Sequence, residues 1–321
     1  MDIDKLLKKV KPNASDTTIK SYSSNIKILF KLLNSNQTEI KNLKFLENPN
    51  EILSLLSNKV NSTIKNYLNS IVVLLKSDEK KYKTVIEKYS EEIKKIQNKM
   101  EIQYDKNIKS EKQEKNWIEY DKIVSLYHQY KKDYNSLIKK NSVEDIRKSK
   151  IKKDLVRDTV LLALYSAVYF PPVRNDFNEM EVVNEGESMN NKKNYMVLMN
   201  NNTIKFVFNE FKTAKSKGSQ EILIKNKTLI DLLLKHIEIH NKEFLLINSQ
   251  GEPLSANGLT KQLNAIFKRE FDKSISSSLI RNIYISHMYN TKNLSNEDKK
   301  KLAEKMLHTK GIAEDVYNKI D

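Results

Sequence analysis

Apolar residues recur at helical spacing through the first third of the chain. A run with one apolar residue every three or four positions comprises Ile19, Tyr22, Ile26, Leu29 and Phe30. Ser15 or Asp16 stands just before this run as a candidate N-cap, so we predict a helix from there to about residue 33. Residues 79–103 predict another, more highly charged helix. No strand pattern occurs in this part, and we predict that residues 1–103 form a helical domain.

A further helix is predicted from an Asn61-Ser62 cap to Leu75, and its start repeats that of the first. The two segments are Thr18-Ile19-Lys20-Ser21-Tyr22 and Thr63-Ile64-Lys65-Asn66-Tyr67. A hydroxyl and a lysine at a helix start are suited to contacting a phosphate, which makes Lys20 and Lys65 candidate contacts to a DNA backbone. Two ordinary capped core helices explain the same pattern at least as well.

The helical pattern breaks at residues 104–116, which are polar and lack apolar periodicity, and we predict a linker there. Trp117, the single tryptophan, begins a new helical pattern, so a second domain is predicted over 117–321. Residues 155–170 predict a buried helix that ends at Pro171-Pro172, because proline cannot continue a helix.

Beyond these prolines the pattern becomes typical of strands. Three short strands are predicted at 195–199, 203–208 and 220–224, and the turn before the last one holds Lys212, Lys215 and Lys217. Helices are predicted again, followed by a last short element over 310–319; the helical ranges are 228–241, 256–270, 277–290 and 296–307. The expected fold is therefore mainly α with a small antiparallel β-sheet.

The charge balance adds a candidate partner to this picture. The chain has 57 Lys and Arg against 41 Asp and Glu, a formal net charge of +16. Residues 1–116 hold 23 basic and 15 acidic residues and residues 117–321 hold 34 and 26, so each part carries +8. An even positive charge over two domains suits a protein that wraps a polyanion such as a nucleic acid. A soluble, lysine-rich surface would give the same totals.

Several classes of protein are disfavoured by what the sequence lacks. It contains no cysteine, which excludes disulfides and thiolate metal sites and is compatible with a reducing compartment. No apolar stretch reaches the length of about 18 residues that a transmembrane helix needs. The N-terminus lacks the apolar core of a signal peptide. We therefore expect an intracellular protein with no membrane partner.

Arginine is scarce, which makes its positions informative. The five arginines are Arg147, Arg157, Arg174, Arg269 and Arg281. In a chain biased toward lysine, a retained arginine indicates a need for its planar, bidentate guanidinium. Arg174 follows the predicted 155–170 helix, and Arg281 closes the segment Ser278-Leu279-Ile280-Arg281. Leu307-His308 and Tyr317 come later in the chain.

This order of residue types is suited to phosphodiester chemistry. Cleavage requires fixed cationic donors for the nonbridging oxygens, a nucleophile held in line and a proton for the leaving 5′ oxygen. Two arginines serve the first need, and Tyr317 is a candidate nucleophile that forms a phosphotyrosine. Lys212 in the turn is a candidate proton donor, while His308 can donate to a phosphate oxygen or assist the nucleophile. Each residue alone also fits an ordinary packing or solvated role.

Together the motifs resemble those of the tyrosine recombinase (phage-type integrase) superfamily over nearly the whole chain. The family's first arginine follows a helix, as Arg174 does, and its lysine lies in a β-hairpin turn, as in Phe211-Lys212-Thr213-Ala214-Lys215. Its His-x-x-Arg motif corresponds to Ser278-Leu279-Ile280-Arg281. Its Leu-Gly-His, with a tyrosine nine residues later, corresponds to Met306-Leu307-His308 and Tyr317. The lysine-rich hairpin and the Trp117 start are most similar to integrases of large DNA viruses and their mobile elements.

This resemblance implies a helical core-binding domain that clamps DNA and an α+β catalytic domain. It implies a site-specific recombinase or integrase that cleaves and rejoins double-stranded DNA through a covalent 3′-phosphotyrosine, with neither a metal nor a nucleotide cofactor. The protein would act as a homotetramer on DNA, be a monomer or weak oligomer when free, and reside with DNA in the cytoplasm or nucleus of a host. The implied catalytic residues are Arg174, Lys212, Ser278, Arg281, His308 and Tyr317, and Lys215 and Lys217 are further candidate backbone contacts.

Two departures from the family pattern affect these expectations. Ser278 replaces the motif histidine; a serine can hydrogen-bond a phosphate oxygen but cannot act as a cation or proton shuttle, so slower activity is expected. His287 is a candidate substitute, although six residues after Arg281 it should lie on a different helix face. Four residues follow Tyr317, so we expect subunits to couple through another segment than the family's C-terminal helix.

Two other functions are compatible with the same residues. A type IB topoisomerase shares this catalytic residue set, although its N-terminal part is usually rich in strands rather than helices. A catalytically impaired DNA-binding protein of the same fold is the second alternative, because Ser278 stands where the family has a histidine.

Overall fold

The computed structural model describes residues 1–34, 38–105, 107–240, 243–308, 311 and 313–319. The chain forms two compact units, Met1–Lys106 and Asn107–Asp321. Each has its own hydrophobic core. Within the described residues, no helix is both long and apolar enough to cross a membrane.

The first unit is helical, as predicted. Its helices are α1 (Ile3–Val10), α2 (Asp16–Leu33), α3 (Pro49–Leu56), α4 (Asn61–Leu75) and α5 (Glu79–Asp105). The predicted cap of α2 is confirmed, since Ser15 accepts a hydrogen bond from the backbone of Thr18 and so satisfies a free N–H of the first turn. Ile26 and Leu29 are fully buried in the core of this unit, which explains the apolar spacing of α2.

The predicted cap of α4 is wrong. Val60 occupies the N-cap position and makes no side-chain hydrogen bond, while Asn61 is already helical. The helix is held instead by its buried face, on which Leu68, Ile71 and Leu74 are fully buried. Burying such a side chain contributes about 1.5–3 kcal/mol, more than a cap typically does.

The predicted linker, residues 104–116, is also corrected. Its first two residues end α5, and residues 111–116 form the helix α6 (Glu111–Asn116), which belongs to the second unit. A capping box starts α6: Ser110 accepts from the Gln113 backbone, and the Gln113 side chain accepts from the Ser110 backbone. This reciprocal cap supports a short helix even though the segment lacks apolar periodicity. The linker was predicted from that lack of periodicity.

The second unit packs helices around a small sheet. Its longer helices are α7 (Tyr120–Lys140), α9 (Lys150–Tyr165), α11 (Lys227–His240), α12 (Ala256–Phe271), α13 (Ser277–Thr291) and α14 (Asn296–Lys305), and the shorter ones are α8 (Val143–Lys148) and α10 (Ala214–Lys217). The strands are β1 (Glu181–Asn184), β2 (Tyr195–Leu198), β3 (Ile204–Phe208) and β4 (Gln220–Ile224). Helices and strands were thus predicted at the right places for most of this unit.

The sheet is mixed rather than antiparallel. Its order is β1-β2-β3-β4, with β1 parallel to β2 and the other pairs antiparallel. The sequence pattern did not predict β1, because this strand has only four residues and is half-buried rather than alternating. Its position is set by pairing with β2 and by a backbone hydrogen bond from Val182 to Glu243 O.

Helix α9 ends at Tyr165, five residues before the predicted end at residue 170, so Pro171-Pro172 does not terminate it. Ser166 caps the helix, and Ala167 adopts a left-handed backbone with φ of 60°, which a helix cannot continue through. Residues 166–180 therefore run without regular structure and carry Arg174. Phe177 anchors this segment, with its ring edge-on to Phe206 at 5.1 Å and to Phe208 at 5.5 Å on β3.

Candidate active site

Tyr317 is the residue around which the predicted site gathers. It ends a π-helical turn, Ala313–Tyr317, and only 3% of its surface is exposed. Its hydroxyl accepts a hydrogen bond of 3.0 Å from Nη2 of Arg174. Ser286 on α13 holds the backbone nearby, because its hydroxyl donates to Tyr317 O and accepts from the Lys319 N–H at 2.7 Å. Ser286 lies five residues after Arg281 and was not among the predicted site residues.

Arg281 is the second guanidinium at Tyr317. It is fully buried on α13, with its guanidinium carbon 4.6 Å from the centroid of the Tyr317 ring. Nη2 donates to Met306 O at 3.0 Å, while Nε and Nη1 have no hydrogen-bond partner among the described residues. Burial and the neighbouring Arg174 charge lower the pKa of Arg281 to about 10, so it remains a cation at neutral pH. Two donors of this buried, charged fork are therefore unpaired among the described residues.

His308 stacks on Tyr317. The two ring centroids are 5.1 Å apart, the planes differ by 23°, and His308 is 4% exposed. The preceding Leu307 has a left-handed backbone with φ of 59°, a conformation that costs a residue with a Cβ roughly 1–2 kcal/mol. It follows the end of α14, where the His308 N–H donates to Ala303 O. The strained turn directs the imidazole toward the phenol ring.

The turn between β3 and β4 docks against the same segment, but not through the predicted lysine. Thr213 Oγ1 donates to Leu307 O at 3.2 Å, and Lys217 Nζ donates to His308 O at 2.9 Å. Lys212 and Lys215 are exposed and make no hydrogen bond or ion pair with the described residues. Residues 214–217 are helical rather than an open turn, and Lys217 at the end of this helix reaches the His308 carbonyl. The structure thus brings Lys217 to the cluster, whereas Lys212 makes no contact with it among the described hydrogen bonds and ion pairs.

Ser278 is exposed at the start of α13, and none of its side-chain contacts joins it to the cluster. The buried serine is its neighbour Ser277, which hydrogen-bonds to Asn175 Oδ1 at 2.5 Å. Asn175 in turn donates to Thr260 Oγ1 on α12. These bonds fix the backbone beside Arg174 relative to α12 and α13. His287 packs on Tyr120, with ring centroids 4.7 Å apart, as its different helix face predicted.

Two residues that the sequence analysis did not assign to the site hold the Arg174 segment in place. Asn194 is 7% exposed; its amide nitrogen donates to Asp176 O and Glu210 O, and its oxygen accepts from the backbone of Glu210. It therefore joins the Arg174 segment to the strand that leads into the lysine turn. The carboxylate of Asp176 accepts from the Arg174 N–H at 3.1 Å. Burial raises the pKa of Asp176, although the charges of Arg281 and Arg174 oppose that rise.

The guanidinium groups of the remaining three arginines hydrogen-bond to other groups of the fold. Arg147 donates to the last carbonyls of α11, Glu238 O and Ile239 O. Arg157 binds one oxygen of Asp158, and Arg269 binds the other at 2.8 Å. These three arginines each use more than one guanidinium nitrogen within the fold, whereas Arg174 and Arg281 each make one side-chain hydrogen bond to the described residues.

The first unit carries the other two predicted contacts. Lys20 is exposed on α2, and Lys65 is half-buried on α4, where its ammonium donates to Gln97 Oε1 at 3.2 Å. Their helices pack together, with Asn25 Nδ2 of α2 2.9 Å from Ser70 Oγ of α4. Both core packing and phosphate contact therefore stay compatible with the repeated motif.

Three separated segments thus meet at the Tyr317 side chain: the Arg174 loop, α13 and the residues after α14; the lysine turn bonds to the carbonyls of residues 307 and 308. The arrangement places two guanidiniums, groups that favour anionic oxygen ligands, at the Tyr317 side chain. No protein-family model matches this chain, and no curated protein sequence matches it.

Proposed function

We propose that this protein is a site-specific DNA recombinase or integrase that breaks and rejoins DNA strands with Tyr317 as the nucleophile. One observation carries this proposal: the Tyr317 phenol contacts Arg174, Arg281 and His308, which come from three separate parts of the chain. The Tyr317 ring also packs in an apolar cluster with Ile285, Ala303 and Met306, but its hydroxyl is bound by one guanidinium and its ring faces a second.

Phosphate binding is the first step of the proposed reaction. Arg174 and the two unpartnered donors of Arg281 bind the nonbridging oxygens of the scissile phosphate. In the free protein the phenol holds the Arg174 donor at 3.0 Å, so DNA replaces that hydrogen bond with one to a phosphate oxygen. The guanidinium is charged in both bonds, but the phosphate oxygen adds a negative charge on the acceptor side, which favours the exchange.

Strand cleavage is the second step. The Tyr317 oxygen forms a bond to phosphorus as the bond between phosphorus and the 5′ oxygen breaks. The phenol proton passes to solvent, and the leaving 5′ oxygen takes a proton from a lysine of the turn, which we assign to Lys212. The 3′ phosphate is then held as a phosphotyrosine that conserves the bond energy, and attack by a 5′ hydroxyl reverses the step.

We assign DNA-backbone contacts to the basic first unit and to the lysine turn, with Lys20, Lys65, Lys215 and Lys217 as the candidates. Recombination requires cleavage of two duplexes, so the active form is a homotetramer on double-stranded DNA. These assignments follow from the resemblance of the motifs and from the even charge of +8 in each part of the chain.

Covalent capture on a nicked suicide duplex tests the proposed chemistry. We expect the wild-type protein to give an adduct that survives denaturing electrophoresis, and the Tyr317→Phe variant to give none. Phenylalanine keeps the ring contacts with His308 and Arg281 and removes only the hydroxyl that Arg174 binds. The matched control is Tyr289→Phe, whose half-buried hydroxyl has no partner among the described residues and whose loss should leave the adduct intact.

The outcomes separate the three candidate functions. An adduct formed by Tyr317→Phe would overturn the nucleophile assignment. DNA binding without any wild-type adduct would favour the impaired DNA-binding protein. Relaxation of a supercoiled plasmid that lacks any specific site would favour a type IB topoisomerase.

A further inference from the structure

A basic cleft lies on the second unit outside the Tyr317 cluster. It has a volume of about 990 Å³ and lies between the start of α9, the end of α11, the loop at 247–251 and the start of α12. Its charged lining, which defines the basic cleft, is Arg147, Lys150, Lys153, Asp154, Arg157 and Lys261. Five cations thus face one carboxylate among the described residues that line it.

The lysines of the basic cleft carry its uncompensated charge. Arg157 forms ion pairs with Asp154 at 2.7 Å and with Asp158 at 2.8 Å. Arg147 donates hydrogen bonds to two backbone carbonyls of α11. Lys150, Lys153 and Lys261 make no ion pair or hydrogen bond with the described residues. Three ammonium groups are therefore free to bind an anion that enters the cleft.

Two polar groups inside the basic cleft also lack partners. His240 Nε2 and Gln262 Oε1 are buried and have no hydrogen-bond partner among the described residues. An imidazole nitrogen can donate, and the Gln262 amide presents its NH2 group after rotation about its last torsion. Buried polar groups are normally hydrogen-bonded to protein, water or a ligand, so these two atoms favour a polar occupant beside them.

The basic cleft is separate from the Tyr317 cluster. Asn175, next to Arg174, bonds to Ala256 O and Thr260 Oγ1 on one side of α12. Gln262, which lines the cleft, is two residues beyond Thr260 and therefore lies roughly 200° around the helix from it. Helix α12 stands between the two sites, so a ligand in the cleft is not the scissile phosphate.

We propose that the basic cleft binds successive phosphate groups of a nucleic-acid strand, as a second DNA contact outside the cleavage site. The choice of DNA rests on the proposed function. Lysine ammonium groups bind phosphates as point charges, and the cleft volume accommodates more than one phosphate. An acidic peptide would need apolar anchors, whereas the apolar lining residues Ile239, Ile247 and Leu254 are at most 9% exposed.

The salt dependence of DNA binding tests the proposal. The full-length triple variant Lys150→Ala, Lys153→Ala, Lys261→Ala is compared with a control triple variant that removes the same charge from exposed lysines outside the cleft, Lys122→Ala, Lys132→Ala, Lys300→Ala. We expect the slope of log K against log salt to fall by about three for the cleft variant, one unit for each lost phosphate contact, and by less than about one for the control. Equal falls in the two variants, or no fall in either, would overturn the proposal.

Acetylation footprinting of the wild-type chain provides a second measurement that does not depend on any variant folding. We expect a short DNA duplex to protect Lys150, Lys153 and Lys261 from acetylation, and equal concentrations of inorganic phosphate or polyglutamate not to do so. Protection by polyglutamate would identify an acidic protein partner, and protection by inorganic phosphate alone would identify a free-anion site; either result rejects the nucleic-acid contact. Both measurements report binding only, so the absence of a Tyr317 adduct would refute the cleavage chemistry without bearing on the cleft.

Discussion

Arg281 lies completely inside the second unit, yet only one of its three nitrogens has a partner among the described residues. Moving a cation away from water is unfavourable, and here burial lowers the pKa of Arg281 to about 10. A side chain held in this way gives little to stability and much to binding an anion. At the scale of the residue, Arg281 is therefore the strongest sign of function in the chain.

Replacing Arg281 with lysine tests this interpretation. Lysine keeps the charge but loses the planar fork that can bind two phosphate oxygens at once. We expect the rate of covalent adduct formation to fall by about 100-fold or more in Arg281→Lys, a loss typical of removing one donor to developing charge.

The matched control is Arg269→Lys, which changes an arginine that binds Asp158 and Tyr130 rather than Tyr317. This variant should lower the melting temperature while adduct formation by the folded protein stays near that of the wild type. Equal rates for Arg281→Lys and the wild type would refute the assigned role of the guanidinium.

At the scale of the element, two lysines of the turn between β3 and β4 have different roles. Lys217 and Thr213 bond to the carbonyls of residues 308 and 307 and so hold the turn in place. Lys212 is exposed at the start of the turn and makes no hydrogen bond or ion pair with the described residues. We infer that Lys217 positions the turn and Lys212 supplies the proton.

A substrate with sulfur in place of the 5′ bridging oxygen separates these roles, because a thiolate leaves without a proton. We expect Lys212→Ala to slow cleavage of the ordinary substrate by about 100-fold. The cleavage rate of this variant should recover on the sulfur substrate. Lys217→Ala should slow both substrates alike, by about tenfold or more, since misplacing the turn affects either leaving group.

The control for this comparison is Lys225→Ala, an exposed residue just after β4, and this variant should cleave both substrates within a few-fold of the wild type. If the sulfur substrate restored the cleavage rate of Lys217→Ala and not that of Lys212→Ala, Lys217 would be the proton donor and Lys212 the positioning residue.

Elements with a strong local signal were predicted well, and those set by distant contacts were not. The apolar period and the Ser15 cap predicted α2, and the apolar stretch predicted most of α9. The end of α9 depends on the left-handed Ala167, and β1 exists because β2 pairs with it. Neither cause is visible in a short window of sequence.

At the scale of the whole molecule, buried histidines make the stability of the second unit depend on pH. The rings of His236 and His240 on α11 are tilted by 59° with centroids 4.5 Å apart. Burial and the charge of His240 lower the pKa of His236 to about 3, and burial, Lys153 and Arg157 lower that of His240 to about 4. Below the unfolded value near 6.5, the unfolded chain therefore binds more protons than the folded one.

Acid should consequently destabilise this unit in a defined window. As the pH falls from about 6.5 toward 4, we expect the free energy of unfolding to decrease, by about 2 kcal/mol for each histidine at pH 5. Trp117, the single tryptophan, lies in this unit and reports its unfolding by fluorescence in a urea titration.

The His240→Gln variant should lose about half of this acid sensitivity relative to the wild type. His128→Gln, which changes an exposed histidine on α7, should keep all of it. An unchanged acid slope in His240→Gln would show that other groups, such as the paired aspartates, cause the loss.

The sequence by itself determined the helical character of both units, the lysine turn between two strands, and the order Arg174, Arg281, His308 and Tyr317. These features depend on local periodicity, caps and residue chemistry, which act over a few neighbouring positions. Only the tertiary structure decided that Ser277 rather than Ser278 is buried, that Lys217 rather than Lys212 meets His308, and that three free lysines line one cleft. Such contacts join residues from separate elements, so they are set by how the elements pack and not by the order of residues within any one of them.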